Sequence, residues 1–172
     1  MDVYDAVNSR RSVRKFDSER GVDRILIEKL LRAAIKAPNA GNAQPWRFIV
    51  VYDAVLKERL SQVAQGQKFV ANAPVAVVVC VDLAVADKAY GQRGTELYCL
   101  QDTGAAIENL MLAACAEGLG TCWVGAFDEA AAALALGLSA GVRPVAMVAI
   151  GFPASQPREK GRLELDEITE WR

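Results

Sequence analysis

Arg10, Arg11, Ser12, Arg14 and Lys15 crowd four cations and a hydroxyl into six residues. Such a set suits a phosphate, because arginine offers a planar fork of donors and serine adds a hydroxyl of short reach. In an extended segment, alternate side chains point to one side. Arg10, Ser12 and Arg14 can therefore converge on one anion while Val13 packs inward. By itself the cluster equally describes a solvated basic turn after a short helix.

Three further segments carry candidate chemistry. Residues 38–45 read Pro-Asn-Ala-Gly-Asn-Ala-Gln-Pro. Asn42 and Gln44 each present a donor and an acceptor, which suits a heterocycle edged by alternating carbonyl and N–H groups. Asn and Gly also serve ordinary turn geometry between a helix and a strand. Residues 118–126, GLGTCWVGA, are small enough for backbone N–H groups to approach a flat ligand, with Trp123 or Val124 available to pack on its face. The segment lacks a GxGxxG phosphate loop, and its plain alternative is a helix end followed by a core strand. Lys160 and Arg162 alternate in the tail, where a solvated charged end is the plain reading.

Composition narrows the chemistry. The chain has no histidine, which excludes Ser-His-Asp triads, Cys-His nucleophile pairs, His-ligated metals and imidazole acid–base catalysis. An enzyme so composed leaves its chemistry to a cofactor. Cys80, Cys99, Cys115 and Cys122 form no Cys-x-x-Cys pair and sit among apolar residues, as reduced core thiols do. The net charge of -1 argues against a nucleic-acid or anionic-membrane surface. No run reaches the ~18 apolar residues of a membrane span. The first residues carry acids and no apolar signal core, so a cytoplasmic location is expected. The hydrophobic fraction, 52%, sits slightly above the usual range and suggests surface covered by a partner subunit.

The elements that must position these residues follow from periodicity and punctuation. Val3 and Val7 predict a helix over 2–9. Asp23 caps a second helix carrying Ile27, Leu30, Leu31 and Ala34, which runs to about Ala37 before Pro38 stops it. Trp46–Tyr52 has strand composition, and Asp53 caps a helix with Leu56, Leu60 and Val63 on one face. The continuous run 75–81 predicts a strand buried on both faces. Residues 83–94 read as a short polar connection containing glycine, followed by a long apolar helix from about Thr95 to Glu117 that ends at Gly118 and Gly120. Thr121–Ala126 reads as a strand, Asp128 caps an Ala-rich helix ending at Gly137, and Val145–Ile150 is a further buried strand. The final ten residues read as a strand or a short helix. Strands and helices interleave without linkers or repeats, so one layered domain over 1–172 is expected.

Taken together, RRSVRKF (10–16), APNAGNAQPWRFIVV (37–51), APVAVVVC (73–80), QDTGAAIENLMLAA (101–114), GLGTCWVGAF (118–127) and KGRLE (160–164) resemble the nitroreductase family of flavin-dependent oxidoreductases. The resemblance spans nearly the whole chain in the family's order. It implies an α+β fold with a central mixed sheet covered by helices. It also implies an intertwined homodimer with one FMN at each of two subunit interfaces. Arg10, Ser12 and Arg14 match the family's N-terminal flavin-binding segment, Arg11 a position that contributes through its backbone, and Lys160 and Arg162 the C-terminal phosphate contacts. Pro38, Asn39, Ala40, Gly41, Asn42 and Gln44 match the loop that reaches the flavin of the other subunit. Trp123, Val124, Gly125 and Ala126 match the segment along the ring's C4=O and N5 edge, and Gln67 a pyrimidine-edge contact. The activity implied is NADH- or NADPH-dependent, two-electron, ping-pong reduction of nitro compounds, quinones or a related small acceptor. On the same fold stand flavin-dependent dehalogenation, the oxygenase of cobalamin ligand synthesis and non-catalytic flavin binding. Asn39 stands where many members carry Ser, and Gly125 where some carry an acid.

Overall fold

A computed structural model describes residues 1–155 and 157–172. Its centre is a four-stranded sheet in the order β1-β2-β4-β3. The strands are β1 (Trp46–Val51), β2 (Val75–Asp82), β3 (Gly120–Val124) and β4 (Val142–Gly151). All three strand pairs are antiparallel. The mixed sheet implied by the resemblance therefore reduces to one parallel bridge, Ser12 to Thr121, at the outer edge of β3. A single residue of the opening segment pairs there before the chain turns away, and Val13 N–H donates to the Thr121 carbonyl at 2.8 Å.

The apolar run of β2 is buried on both faces because successive side chains alternate between two cores. Val75, Val77 and Val79 face α2 (Arg24–Ala34) and α6 (Cys99–Ala116), packing with Ile27, Leu30, Ile107 and Leu110. Ala76, Val78 and Cys80 face α3 (Ala54–Val63), α4 (Phe69–Asn72) and α7 (Glu129–Leu136) through Leu60, Val70 and Ala132.

Helix starts follow local chemistry. Asp2 caps α1 (Val3–Ser9) in a reciprocal box with Asp5. Asp23, Asp53 and Asp128 accept from the N–H groups of Leu26, Leu56 and Ala131. Helix α2 ends at Ala34, short of the expected Ala37, in a turn where Ala37 N–H donates to the Ala34 carbonyl.

Residues 83–94 differ from the expected connection. Leu83–Arg93 is helix α5, capped by the Asp82 side chain at Val85 N–H, and it buries Ala86. Its polar residues are the wet faces of that helix, and Gly91, at φ 53°, breaks it. A π-helical turn, Gly94–Tyr98, leads into α6, which therefore begins later than Thr95. The tail forms a short helix, α8 (Leu165–Ile168). Among the described residues no helix is long and apolar enough to cross a membrane.

Candidate functional site

The opening segment lies between β3 and the chain that follows β4. Asp17 N–H donates to Phe152 O at 2.9 Å, and Ala154 N–H to Lys15 O at 3.0 Å. Val13 points inward at 5% exposure, as the alternation predicts. Its isopropyl group fits only because residue 120 is glycine: a Cβ there would stand 2.6–2.8 Å from three Val13 side-chain atoms.

On the outward side, Arg10, Arg11, Ser12 and Arg14 line one cleft of ≈ 260 Å³ together with Arg158, Lys160 and Arg162. The two ends of the chain thus meet at a single concentration of cations. Their side chains are not equivalent. The Arg11 guanidinium donates to the Asn8 carbonyl, to the Arg10 carbonyl at 2.9 Å and to Glu159 Oε1 at 2.5 Å. It fastens the tail to the opening segment. Arg10 lies 3.5 Å from Glu108 of α6. Among the described residues Arg14, Arg158, Lys160 and Arg162 have no carboxylate partner. Four such cations on one cleft suit an anion of high charge density.

Arg14 also connects the cleft to its neighbourhood. Its guanidinium lies 5.7 Å from the Phe69 ring centre, two residues beyond Gln67. Gln67 Nε2 donates to the Ala64 carbonyl at 3.0 Å and to the Ala126 carbonyl at 3.4 Å. Gln67, Gly125 and Ala126 therefore form one neighbourhood, with Gly125 and Ala126 exposed. Trp123 is 40% exposed on the α6 side, where its ring end faces Gly104. Val124 differs from expectation as a ring-packing side chain. It is 2% exposed and belongs to the core on the opposite sheet face, because β3 alternates. Only its backbone is available to a ligand.

The amide-rich loop lies before β1, at the other edge of the sheet from β3, and none of its residues lines the cationic cleft. Ala40–Asn42 is a single 3-10 turn. Gly41, Asn42 and Gln44 all adopt left-handed backbone, with φ of 54°, 55° and 54°. Gly41 is required there twice over, since a Cβ would also meet the Tyr90 hydroxyl at 2.5 Å. Asn39 Oδ1 accepts from Gln44 N–H at 3.0 Å, and Gln44 Nε2 reaches the Asn42 carbonyl at 3.4 Å. Pro38 is exposed, and Ala40 N–H donates to Asp102 Oδ1 at 2.9 Å.

Asp102, Glu108, Glu159 and Phe69 carry this arrangement and were not predicted as site residues. Asp102 and Glu108 carry a sequence signal, as acids on a largely apolar helix, whereas Glu159 and Phe69 carry none. Asp102 is 6% exposed, and burial raises its carboxyl above the ordinary range, partly offset by the Ala40 N–H. The folded chain thus binds this proton more tightly than the unfolded chain. That contribution to stability falls as pH rises from the ordinary carboxylate pKa through the raised one. Asp102→Asn is therefore expected to gain in melting temperature relative to wild type as pH rises through that window to neutral. Calorimetry across the window checks this, and a constant difference contradicts it.

None of the cysteine thiols is acidified. All four are free, and burial raises the Cys80 thiol to about 11 and the other three above their ordinary value. For Cys122 the Arg14 charge pulls the other way, and Ser12 lies beside β3 through its bridge to Thr121. No cluster of metal-ligating side chains occurs among the described residues.

The fold agrees with a wider comparison. The Nitroreductase family pattern matches residues 7–67 and 63–152, and the chain belongs to that family of oxidoreductases. It is 34% identical to a candidate NADH dehydrogenase/NAD(P)H nitroreductase from Methanothermobacter thermautotrophicus, over 98% of this chain and 86% of that protein. It is 29% identical to an FMN reductase [NAD(P)H] of Bacillus subtilis, over 97% of this chain and 72% of that one. A solved structure of a candidate NAD(P)H:FMN oxidoreductase from Staphylococcus epidermidis superposes with a TM-score of 0.90 at 25% identity, covering 99% of this chain and 96% of that one.

The residues present fit FMN. Lys160 and Arg162, without carboxylate partners among the described residues, match a phosphate monoester dianion together with the Ser12 hydroxyl, and Arg14 adds a further cation on the same cleft. Exposed backbone at Gly125 and Ala126 beside Gln67 offers donors and acceptors to a heterocycle.

Proposed function

We propose that this oxidoreductase binds FMN and uses NADH or NADPH to reduce a nitro compound, a quinone or a related small acceptor by two electrons, in ping-pong turnover. The observation that carries the reading is the convergence of Arg14, Lys160 and Arg162 on one cleft without carboxylate partners. The named activities of the relatives support it.

Bound FMN would supply the hydride chemistry, since the chain has no histidine and no acidified thiol. The protein's residues bind and tune. Lys160, Arg162 and Ser12 hold the phosphate, and Arg11 keeps the tail in reach through Glu159. Arg14, next to the Gln67–Ala126 neighbourhood, favours the more negative, reduced state of the ring. Backbone N–H groups at Gly125 and Ala126 orient its edge, and Trp123 excludes water from one side. In this reading water supplies the substrate proton.

Two copies of the chain complete the site. Val3, Tyr4 and Val7 of α1 are exposed, as are Leu163, Leu165, Ile168 and Trp171 of the tail. Apolar surface of this kind suits burial against a second copy. Such a homodimer would bring the Pro38–Gln44 loop of one protomer to the flavin of its partner. The protein acts in the cytoplasm.

Purified protein is expected to be yellow and to release FMN on denaturation, identified by chromatography; a colourless protein that cannot be reconstituted sinks the reading. In FMN-loaded Arg14→Ala, the reduction potential should fall by about 20 mV for a two-electron couple, corresponding to about 1 kcal/mol for a partly screened charge pair. FMN binding should remain measurable. An unchanged potential removes the tuning role of Arg14.

A further inference from the structure

Gly41, Asn42 and Gln44 hold left-handed backbone within four residues, and two of them are not glycine. Asparagine enters that region comparatively easily, whereas a glutamine there costs roughly 1 kcal/mol or more. A short exposed loop does not keep such a conformation unaided; something must over-determine it. Inside the loop, Asn39 Oδ1 closes onto Gln44 N–H. Beyond the local bond from Asn39 Nδ2 to the Ala37 carbonyl, residues 39–44 make one hydrogen bond to the rest of the chain among the described residues, Ala40 N–H donating to Asp102 Oδ1. Tyr90 supplies the other restraint, by contact with Gly41.

Asp102 is unusual in its own right. It is an acid at 6% exposure on a helix whose neighbouring buried positions are largely apolar. A leucine or alanine there would pack more cheaply, since a buried carboxylate is penalised by desolvation. The one partner the structure gives it is the amide that begins the strained turn. Neither the cationic cleft nor the Gln67 neighbourhood involves Asp102.

We propose that Asp102 is a positioning residue for the flavin-ring loop, pinning Ala40 so that Asn42 and Gln44 keep the backbone from which they meet the ring. The inference rests on the FMN reading and on the two-copy site. It assigns a role to a residue that touches no ligand, and it separates the grip on the ring from the grip on the phosphate.

The contrast between FMN and riboflavin tests it, measured by titration of the full-length protein in wild type, Asp102→Ala, Asp102→Asn and Ala40→Pro. Asn keeps an acceptor oxygen. Proline at 40 deletes the donor N–H, and it is tolerated by the backbone because Asn39 is extended (φ -152°, ψ 155°) and Ala40 opens the turn. Asp102→Ala and Ala40→Pro should each weaken FMN and riboflavin by the same factor, roughly tenfold or more. Inorganic phosphate should compete with FMN unchanged. Asp102→Asn should recover to within about threefold of wild type. The double variant Asp102→Ala/Ala40→Pro should be no weaker than either single change, because both remove one contact. Hydrogen exchange at 40–44 in the flavin-free variants should rise.

Wild-type flavin affinity in Ala40→Pro overturns the proposal even if Asp102→Ala does not fold. An Asp102→Asn variant as weak as Asp102→Ala also overturns it. A wild-type chain that binds phosphate but neither flavin overturns the FMN reading itself, and is distinguished by failing before any substitution is made.

Discussion

Lys160→Ala/Arg162→Ala should bind FMN about 100-fold more weakly than wild type, taking about 1.5 kcal/mol for each charge-assisted contact, the low end for exposed groups. Riboflavin, which lacks the phosphate, should change by less than about threefold. The asymmetry follows from position. Both residues line the same cleft as Ser12 and Arg14, far in sequence but fastened there by Arg11 and Glu159. Neither has a carboxylate partner among the described residues, so removing them leaves no stranded acid to confuse the result. The loss should shrink at high salt, since the cleft is solvent-facing. Equal losses for the two flavins would show that the tail does not hold phosphate.

Gly120→Ala should disable the same site from beneath. The added Cβ meets three Val13 atoms at 2.6–2.8 Å, closer than real Cβ contacts come. Val13 cannot retreat easily, because its own N–H is bonded to Thr121 and its side chain is buried. Either β3 or the opening segment must shift, and that segment carries Ser12 and Arg14 on its outward side. Overpacking of this kind costs about 1–3 kcal/mol of stability. FMN affinity should fall by roughly tenfold or more, from displaced donors. Val13→Gly in the same chain removes all three clashing atoms and should restore most of the FMN affinity, whereas Val13→Ala keeps the Cβ at 2.7 Å and should restore less. A Gly120→Ala variant with wild-type stability and FMN affinity would mean that the segment's position does not govern the cleft.

What could be read from the sequence was mainly local. Asp23, Asp53 and Asp128 announced helix starts because a cap needs only the next three residues. The β2 strand was visible because its burial on both faces leaves no polar alternation. The cationic cluster and its inward Val13 followed from strand alternation alone. Pairing was not legible. Nothing near β2 states that it lies antiparallel between β1 and β4, because that choice is made by distant segments. Helix α5 was hidden by its wet faces and Gly91.

The site divides along the same line. That Lys160 and Arg162 join the opening cluster could be expected only through resemblance to the nitroreductase family. Composition and spacing left a solvated tail as the plain alternative. Asp102 stands out in the sequence as an acid on an apolar helix, but its partner, 62 positions away, does not, and the choice between Trp123 and Val124 as the outward side chain depends on which face of β3 meets the core.

The central claim is that FMN bound at this cleft passes electrons from a reduced nicotinamide. The most direct measurement is the visible absorbance of the FMN-reconstituted protein on anaerobic mixing with NADH or NADPH. The flavin band should be present and should bleach rapidly with at least one of them. A protein that shows no band after reconstitution, or a band that neither nucleotide bleaches, would contradict the account.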